Sequence, residues 1–379
     1  MSIWWRKSEL PLLVLYAVVF YVYVIRRSLN LSHDYFHQAR GLVPGWIPNQ
    51  FNDVSDAQWR NFRGNLPILT FVLGIFTMVA NMLRAHYNLK AKGMSIVWLV
   101  ISWIYLAYLH GALHHVSFCA SFELDTPQKN FSLQKVAWYG FRWVMSLFLM
   151  ELMTHFCYYN AFALSGLWKN LSPVDVFIIG YGVLNFMWLK FFLIWRYFRF
   201  WALVSGIETL ENMPKCINNC YNLESFWKNW HASFNKWLVR YMYIPLGGSQ
   251  RKLVNVWVIF TFVAIWHDLE WKLLSWAWLT CIFFIPEMIV KSAANTLKVE
   301  SMFGVVIWHE LQAVSGAITI TCLMVANLIG FVIGPSGINW LSSVFFKREG
   351  LPVLGGLFLT FYVGTKLMIH ISDAKQKRF

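Results

Sequence analysis

Repeated long apolar runs limit what this chain can fold into before any motif is read. They lie near residues 10–26, 66–84, 94–113, 136–159, 174–195, 273–291, 312–334 and 353–371, with a shorter run at 253–267. A helix needs about 20 apolar residues to cross a bilayer, so the runs imply about eight or nine transmembrane helices, with interfacial or re-entrant pieces among them. Lipid offers no water to backbone N–H and C=O groups, so only helices and closed barrels span it. The runs are continuous rather than alternating, which excludes a β-barrel. The expected fold is all-α, a polytopic membrane helical bundle.

Composition bears on partners. Charged residues make up 13% of the chain, against about 25% in soluble domains. The net charge of +14 would suit nucleic acid. However, Arg26, Arg27, Arg84, Lys90, Lys92 and the basic tail sit in loops and at span ends, where headgroup contact and the positive-inside bias explain them. Membrane lipids are expected partners and nucleic acid is not. Six scattered cysteines, of which only Cys216 and Cys220 are close, give no zinc or disulfide framework. The first 26 residues lack a small-residue cleavage site, so the first span is expected to be retained.

The chain ends DAKQKRF, with lysines third and fifth from the end. This fits the K-x-K-x-x signal that returns membrane proteins to the endoplasmic reticulum; a plain basic juxtamembrane tail fits as well. Both readings place a multi-pass protein with a cytosolic C-terminus. Polar loops are expected at 28–65, 116–135, 206–224 and 335–352. Without repeats or low-complexity tracts, one membrane domain is the simplest parse.

Three segments carry polar groups where an apolar chain would not place them by default. In ESFWKNWHASFNKWLVRYMYIPLGGSQ (224–250), Trp227, Trp230, His231, Phe234, Leu238 and Tyr241 recur at helical spacing and share one face. Lys228, Lys236 and Arg240 take another, and Pro245 with two glycines ends the helix. Such a helix lies in the interface or lines a cavity. In TFVAIWHDLEWK, His267, Asp268, Glu270 and Lys272 interrupt two apolar runs. They form either an interfacial turn or a cavity-facing site. Around Lys190, Arg196 and Arg199, long basic side chains either snorkel to headgroups or meet an anionic group such as phosphate. Histidine boxes at His33/His37 and His110/His114/His115 resemble those of di-iron oxidases. A third box is missing and Asp34 is the sole carboxylate beside them, so they read better as polar caps at span ends, and no metal is expected.

FWKNWHASFNKWLVRYMYIPLGGS followed, 30–40 residues later, by VAIWHDLEWKLLSWAWL resembles the membrane-bound O-acyltransferase (MBOAT) family. The subgroup looks like the glycerol-uptake and hedgehog-acyltransferase-like branch, which includes GPI-remodelling enzymes. KFFLIWRYFRFWALVSGIETLENMPKC and the Pro286-Glu287 pair support the match. The resemblance covers about 133–372 well, so 133–379 is expected to be the MBOAT-like catalytic core. Residues 1–132 supply N-terminal membrane helices and loops that match loosely.

The resemblance implies acyl transfer from a fatty acyl-CoA to a hydroxyl of a lipid or glycolipid. His267 stands at the family's catalytic position and His231 at its second polar position. Asn235, Trp230, Trp266, Arg196 and Arg199 are expected around the substrates. Acyl-CoA is a co-substrate, and no cofactor is tightly bound. Chains of this branch are longer, and the difference falls near 120–130, so this chain looks like a shortened member. That leaves a non-catalytic regulator, acting with a partner subunit or a full-length homologue, as the alternative. A glycerol transporter-like protein is a third reading, although no pair of broken helices repeats in two halves.

Overall fold

The computed structural model describes residues 2–87, 93, 96–97, 100, 132–296, 302–335, 337–345, 347–348 and 350–376. Most of the run at 94–113, the His110/His114/His115 box, the junction at 120–130 and the last three residues lie outside them. Among the described residues, twelve α-helices and one short hairpin form a polytopic helical membrane protein. Six of the described helices are long and apolar enough to cross a bilayer. These are α1 (Ser2–Tyr35), α2 (Ala57–Tyr87), α5 (Pro173–Val204), α9 (Trp271–Thr296), α10 (Met302–Leu328) and α12 (Leu351–Gln376).

Two apolar runs fall short of that set. The run at 136–159 forms α3 (Leu133–Phe156), which carries Arg142, Glu151 and His155 along its length. The run at 253–267 forms α8 (Lys252–His267), whose 16 residues reach about 24 Å at 1.5 Å per residue, less than the roughly 30 Å core.

The polar stretch 28–65 is not a loop throughout. Helix α1 continues through Arg27 and Ser28 because their polar groups find partners. Arg27 donates to both oxygens of Asp175 at 2.7 and 2.8 Å, and Ser28 receives the Tyr159 hydroxyl at 2.7 Å. Strands β1 (Leu42–Pro44) and β2 (Phe51–Asp53) then pair antiparallel, Val43 opposite Asn52. Asp53 pins the hairpin by accepting from the backbone N–H of Ala161 (2.9 Å), at the start of α4 (Tyr159–Ser165). Trp46, at the hairpin tip, donates to Glu151 at 3.0 Å. The stretch 335–352 likewise contains a helix, α11 (Gly337–Phe345).

The described chain forms two compact units. The first comprises Met1–Asp56, Met150–Leu189 and Asn212–Phe379. Its main core joins Phe177 and Ile178 of α5 to Trp276, Ala277, Cys281 and Phe284 of α9. Ala317, Leu323 and Phe361, from α10 and α12, complete it. Gly316 lets α10 and α12 approach closely, since a β-carbon there would run into Thr365. One end of this unit is tied by charge. Lys366 donates to Glu9 at 2.7 Å and to Glu310 at 2.8 Å, and the His370 ring lies 2.9 Å from Glu9. Tyr362 donates to Glu310. The starts of α1 and α10 and the end of α12 therefore share one side of the unit.

The second unit comprises Ala57–Leu149 and Lys190–Glu211. Arg196 and Arg199 reach Glu211 at 3.1 and 3.5 Å, Tyr139 donates to the same carboxylate at 3.2 Å, and Arg199 also donates to the Thr209 carbonyl at 3.0 Å.

Candidate active site at the His231 kink

The helix expected across 224–241 is broken in the structure. Helix α6 (Leu223–Asn229) ends before Trp230, and α7 (Ala232–Leu238) begins after His231. A π-turn over Val239–Tyr243 follows, and Gly247 and Gly248, both at positive φ, close the segment. His231 lies between the helices at φ +48° and ψ +59°, in the left-handed region. For a residue with a β-carbon this costs about 1–2 kcal/mol, so its surroundings must enforce it. Helical periodicity cannot register this break, because one left-handed residue interrupts the helix without changing the spacing of the letters.

The kink divides the side chains between two destinations. Before it, Trp227 packs edge-on against Phe260 of α8 and Trp276 of α9, with centroids at 5.0 and 5.6 Å. Trp230 stacks on Phe226 at 5.6 Å. After it, His231 lies 5.3 Å from Phe234, which stacks on Trp266 at 4.7 Å. Trp266 in turn lies 4.9 Å from His267, the last residue of α8, and His267 lies 6.3 Å from Trp276. An unbroken line of rings thus joins the two histidines. Asn235 donates its backbone N–H to the His231 carbonyl at 3.0 Å, while its side chain hydrogen-bonds no described residue.

His231 is half-buried, and burial pushes its pKa down to about 4, with repulsion from His267 adding to the effect. His267 keeps an exposed edge at the end of α8, yet the protein around it still lowers its pKa. Both shifts favour the neutral ring, and a neutral imidazole can take a proton. Asp268 does not orient the His267 ring; its carboxylate accepts from the backbone N–H of Leu269 at 2.8 Å.

Of the site residues expected from the sequence, Trp230, His231, Asn235, Trp266 and His267 all belong to the first unit, and His231, Trp266 and His267 lie along the line of rings through Phe234. Arg196 and Arg199 belong to the second unit, where their guanidinium groups meet Glu211. His33 is exposed and lies 3.4 Å from Asp34. Among the described residues no three His, Cys, Asp or Glu side chains converge as metal ligands do. Two residues given no role by sequence reasoning hold the helices that flank His231. Asn212 accepts from the backbone N–H groups of Ala232 and Ser233, and Glu287 accepts from that of Leu223. Both lie in segments that carried the family resemblance, but nothing local in those segments points to a distant helix start.

Residues 58–333 match the membrane-bound O-acyltransferase (MBOAT) family. The chain belongs to that family. Among its relatives, the Saccharomyces cerevisiae membrane-bound O-acyltransferase GUP1 is 37% identical over 253 residues, covering 66% of this chain and 44% of that protein. The Candida tropicalis GUP1 is 29% identical over 370 residues, which are 95% of this chain and 58% of that one. More distant is the mouse protein-cysteine N-palmitoyltransferase HHAT, 25% identical over 222 residues, 55% of this chain and 44% of the relative. This MBOAT chain spans about half the length of these relatives.

Proposed function

We propose that this chain transfers a fatty acyl group from acyl-CoA to a hydroxyl of a membrane lipid or glycolipid, as in GPI-lipid remodelling. It does so in the membrane of the endoplasmic reticulum with its C-terminus in the cytosol, His267 acting as general base and His231 assisting. The observation that carries the reading is the pair of imidazoles at the kink and at the end of α8, linked through Phe234 and Trp266. The O-acyltransferase and N-palmitoyltransferase relatives support acyl transfer as the reaction class.

An alcohol attacks a thioester slowly until a base near neutral pKa takes its proton. In the proposed step the His267 imidazole accepts the hydroxyl hydrogen as the acceptor oxygen bonds to the thioester carbon. Collapse of the tetrahedral intermediate breaks the C–S bond, and the imidazolium returns the proton to the departing thiolate. His231 donates a hydrogen bond to the intermediate's oxyanion through its N–H, and Asn235 lies one turn away to supply another. Trp230 and Trp266 offer apolar walls to the acyl chain. No tightly bound cofactor is required.

Microsomes expressing the chain in cells that lack other acyltransferases of this family, given radiolabelled palmitoyl-coenzyme A, are expected to move label into a lipid fraction. Absence of transfer by a stably accumulating chain would overturn the proposal. The pH dependence has a definite sign. A protonated imidazole is no base, and both rings here are held below the ordinary 6.5. The acid limb of kcat/KM is therefore expected below pH 6.5, and a limb centred at or above that value would count against these rings. Stability follows the same direction. The unfolded chain binds more protons than the folded one between about pH 6.5 and 4, so folding weakens as pH falls through that window.

A further inference from the structure

An N-cap is normally Ser, Thr, Asp or Asn, whose short side chain satisfies the first free N–H groups of its helix. His231 occupies that position for α7 but makes no side-chain capping hydrogen bond. The cap is supplied from elsewhere. Asn212 accepts from the Ala232 N–H through its carbonyl at 3.1 Å and from the Ser233 N–H through its Oδ1 at 2.9 Å. Met213, next in the chain and 1% exposed, fixes that loop in place. The helix before the kink is held in parallel. Asn222 takes the Ser225 N–H at 2.6 Å, and Glu287, 6% exposed on α9, takes the Leu223 N–H at 2.6 Å and the Glu224 N–H at 3.5 Å.

We propose that Asn212 is the positioning residue for His231, with Glu287 anchoring the preceding helix. By capping α7 from outside, Asn212 holds the left-handed kink that places the imidazole. The role rests on His231 taking part in acyl transfer. It also gives the ENMPKC and Pro286-Glu287 segments a physical task.

The test compares Asn212→Ala, Asn212→Asp, His231→Ala and the Asn212→Ala/His231→Ala double variant, as full chains in microsomes with radiolabelled palmitoyl-coenzyme A. Asn212→Ala is expected to lower apparent kcat about tenfold or more, in line with the cost of a misplaced reacting group, with KM changed less than about twofold. Asn212→Asp keeps an acceptor oxygen in place and is expected to restore most of the rate. On the His231→Ala background the loss from Asn212→Ala is expected to vanish, because residues acting through one group are not additive. Multiplying losses, failure of aspartate to rescue, or full activity of Asn212→Ala would overturn the proposal. If the alanine variant does not accumulate, Asn212→Ser, whose hydroxyl is too short to reach Ser233, replaces it.

A second readout needs no turnover. Carbethoxylation of His231 by diethylpyrocarbonate, followed by mass spectrometry, is expected to quicken about fivefold in Asn212→Ala, the rise in locally opened chain that losing one cap implies. An unchanged modification rate overturns the positioning role even where no transfer is measurable. Inactive His231→Ala beside fully active Asn212→Ala removes the positioning role alone. A fully active His231→Ala removes the catalytic reading of His231 and this inference with it.

Discussion

His267→Ala is expected to reduce acyl transfer by about 10²–10⁴-fold, the usual contribution of a positioned general base. The loss should fall mainly in kcat, because His267 ends α8 beside Trp266 and Trp276, and the two indoles remain to line the site. Folding should change little: the ring keeps an exposed edge and makes no hydrogen bond to another described side chain. Thermal unfolding followed by tryptophan fluorescence in detergent should therefore match the parent chain while label transfer falls. A variant that transfers at the parental rate would refute the base assignment. His267→Gln sharpens the test, since it preserves volume and hydrogen bonding but cannot accept a proton at neutral pH.

The second large effect concerns stability. Lys366 bridges Glu9 and Glu310 at one end of the first unit, with side-chain exposures of 11%, 14% and 33% for the three groups. Lys366→Met keeps the aliphatic stem and leaves two carboxylates side by side without their shared cation. Breaking a buried pair costs about 3–5 kcal/mol. His370 still faces Glu9, and Glu310 is partly exposed, so about 2–3 kcal/mol is expected here. The signature is a melting temperature several degrees lower, recovered when Glu9→Gln and Glu310→Gln are added to neutralise the pair. An unchanged melting temperature in Lys366→Met would show that the cluster does not hold the helix ends together.

The parts of the fold that lipid dictates were legible in the sequence. Helices α5, α9, α10 and α12 follow their apolar runs because a bilayer rejects other backbone arrangements. At the candidate site, residue types that stood out in the sequence, His231, Trp266 and His267, lie along one line of rings through Phe234. What escaped reading depends on distant partners. The hairpin at 42–53 has strands of three residues, too short to alternate visibly, and is held by Asp53 on α4 and by Trp46 on Glu151. The kink at His231 is set by Asn212 and flanked by a helix capped from Glu287, and neither contact leaves a trace in the letters around 231. Periodicity reports what a residue's own helix wants, and here the tertiary partner decides.

The left-handed backbone at His231 carries an evolutionary corollary. Glycine is the residue that adopts this conformation without penalty, so His231→Gly is expected to fold at least as well as the parent, by up to about 1 kcal/mol. A mutational scan scored on membrane abundance alone would rank glycine at or above histidine at this one position. A scan scored on acyl transfer would invert that ranking. The two landscapes, measured side by side, would show directly where this chain gives up foldability in exchange for chemistry.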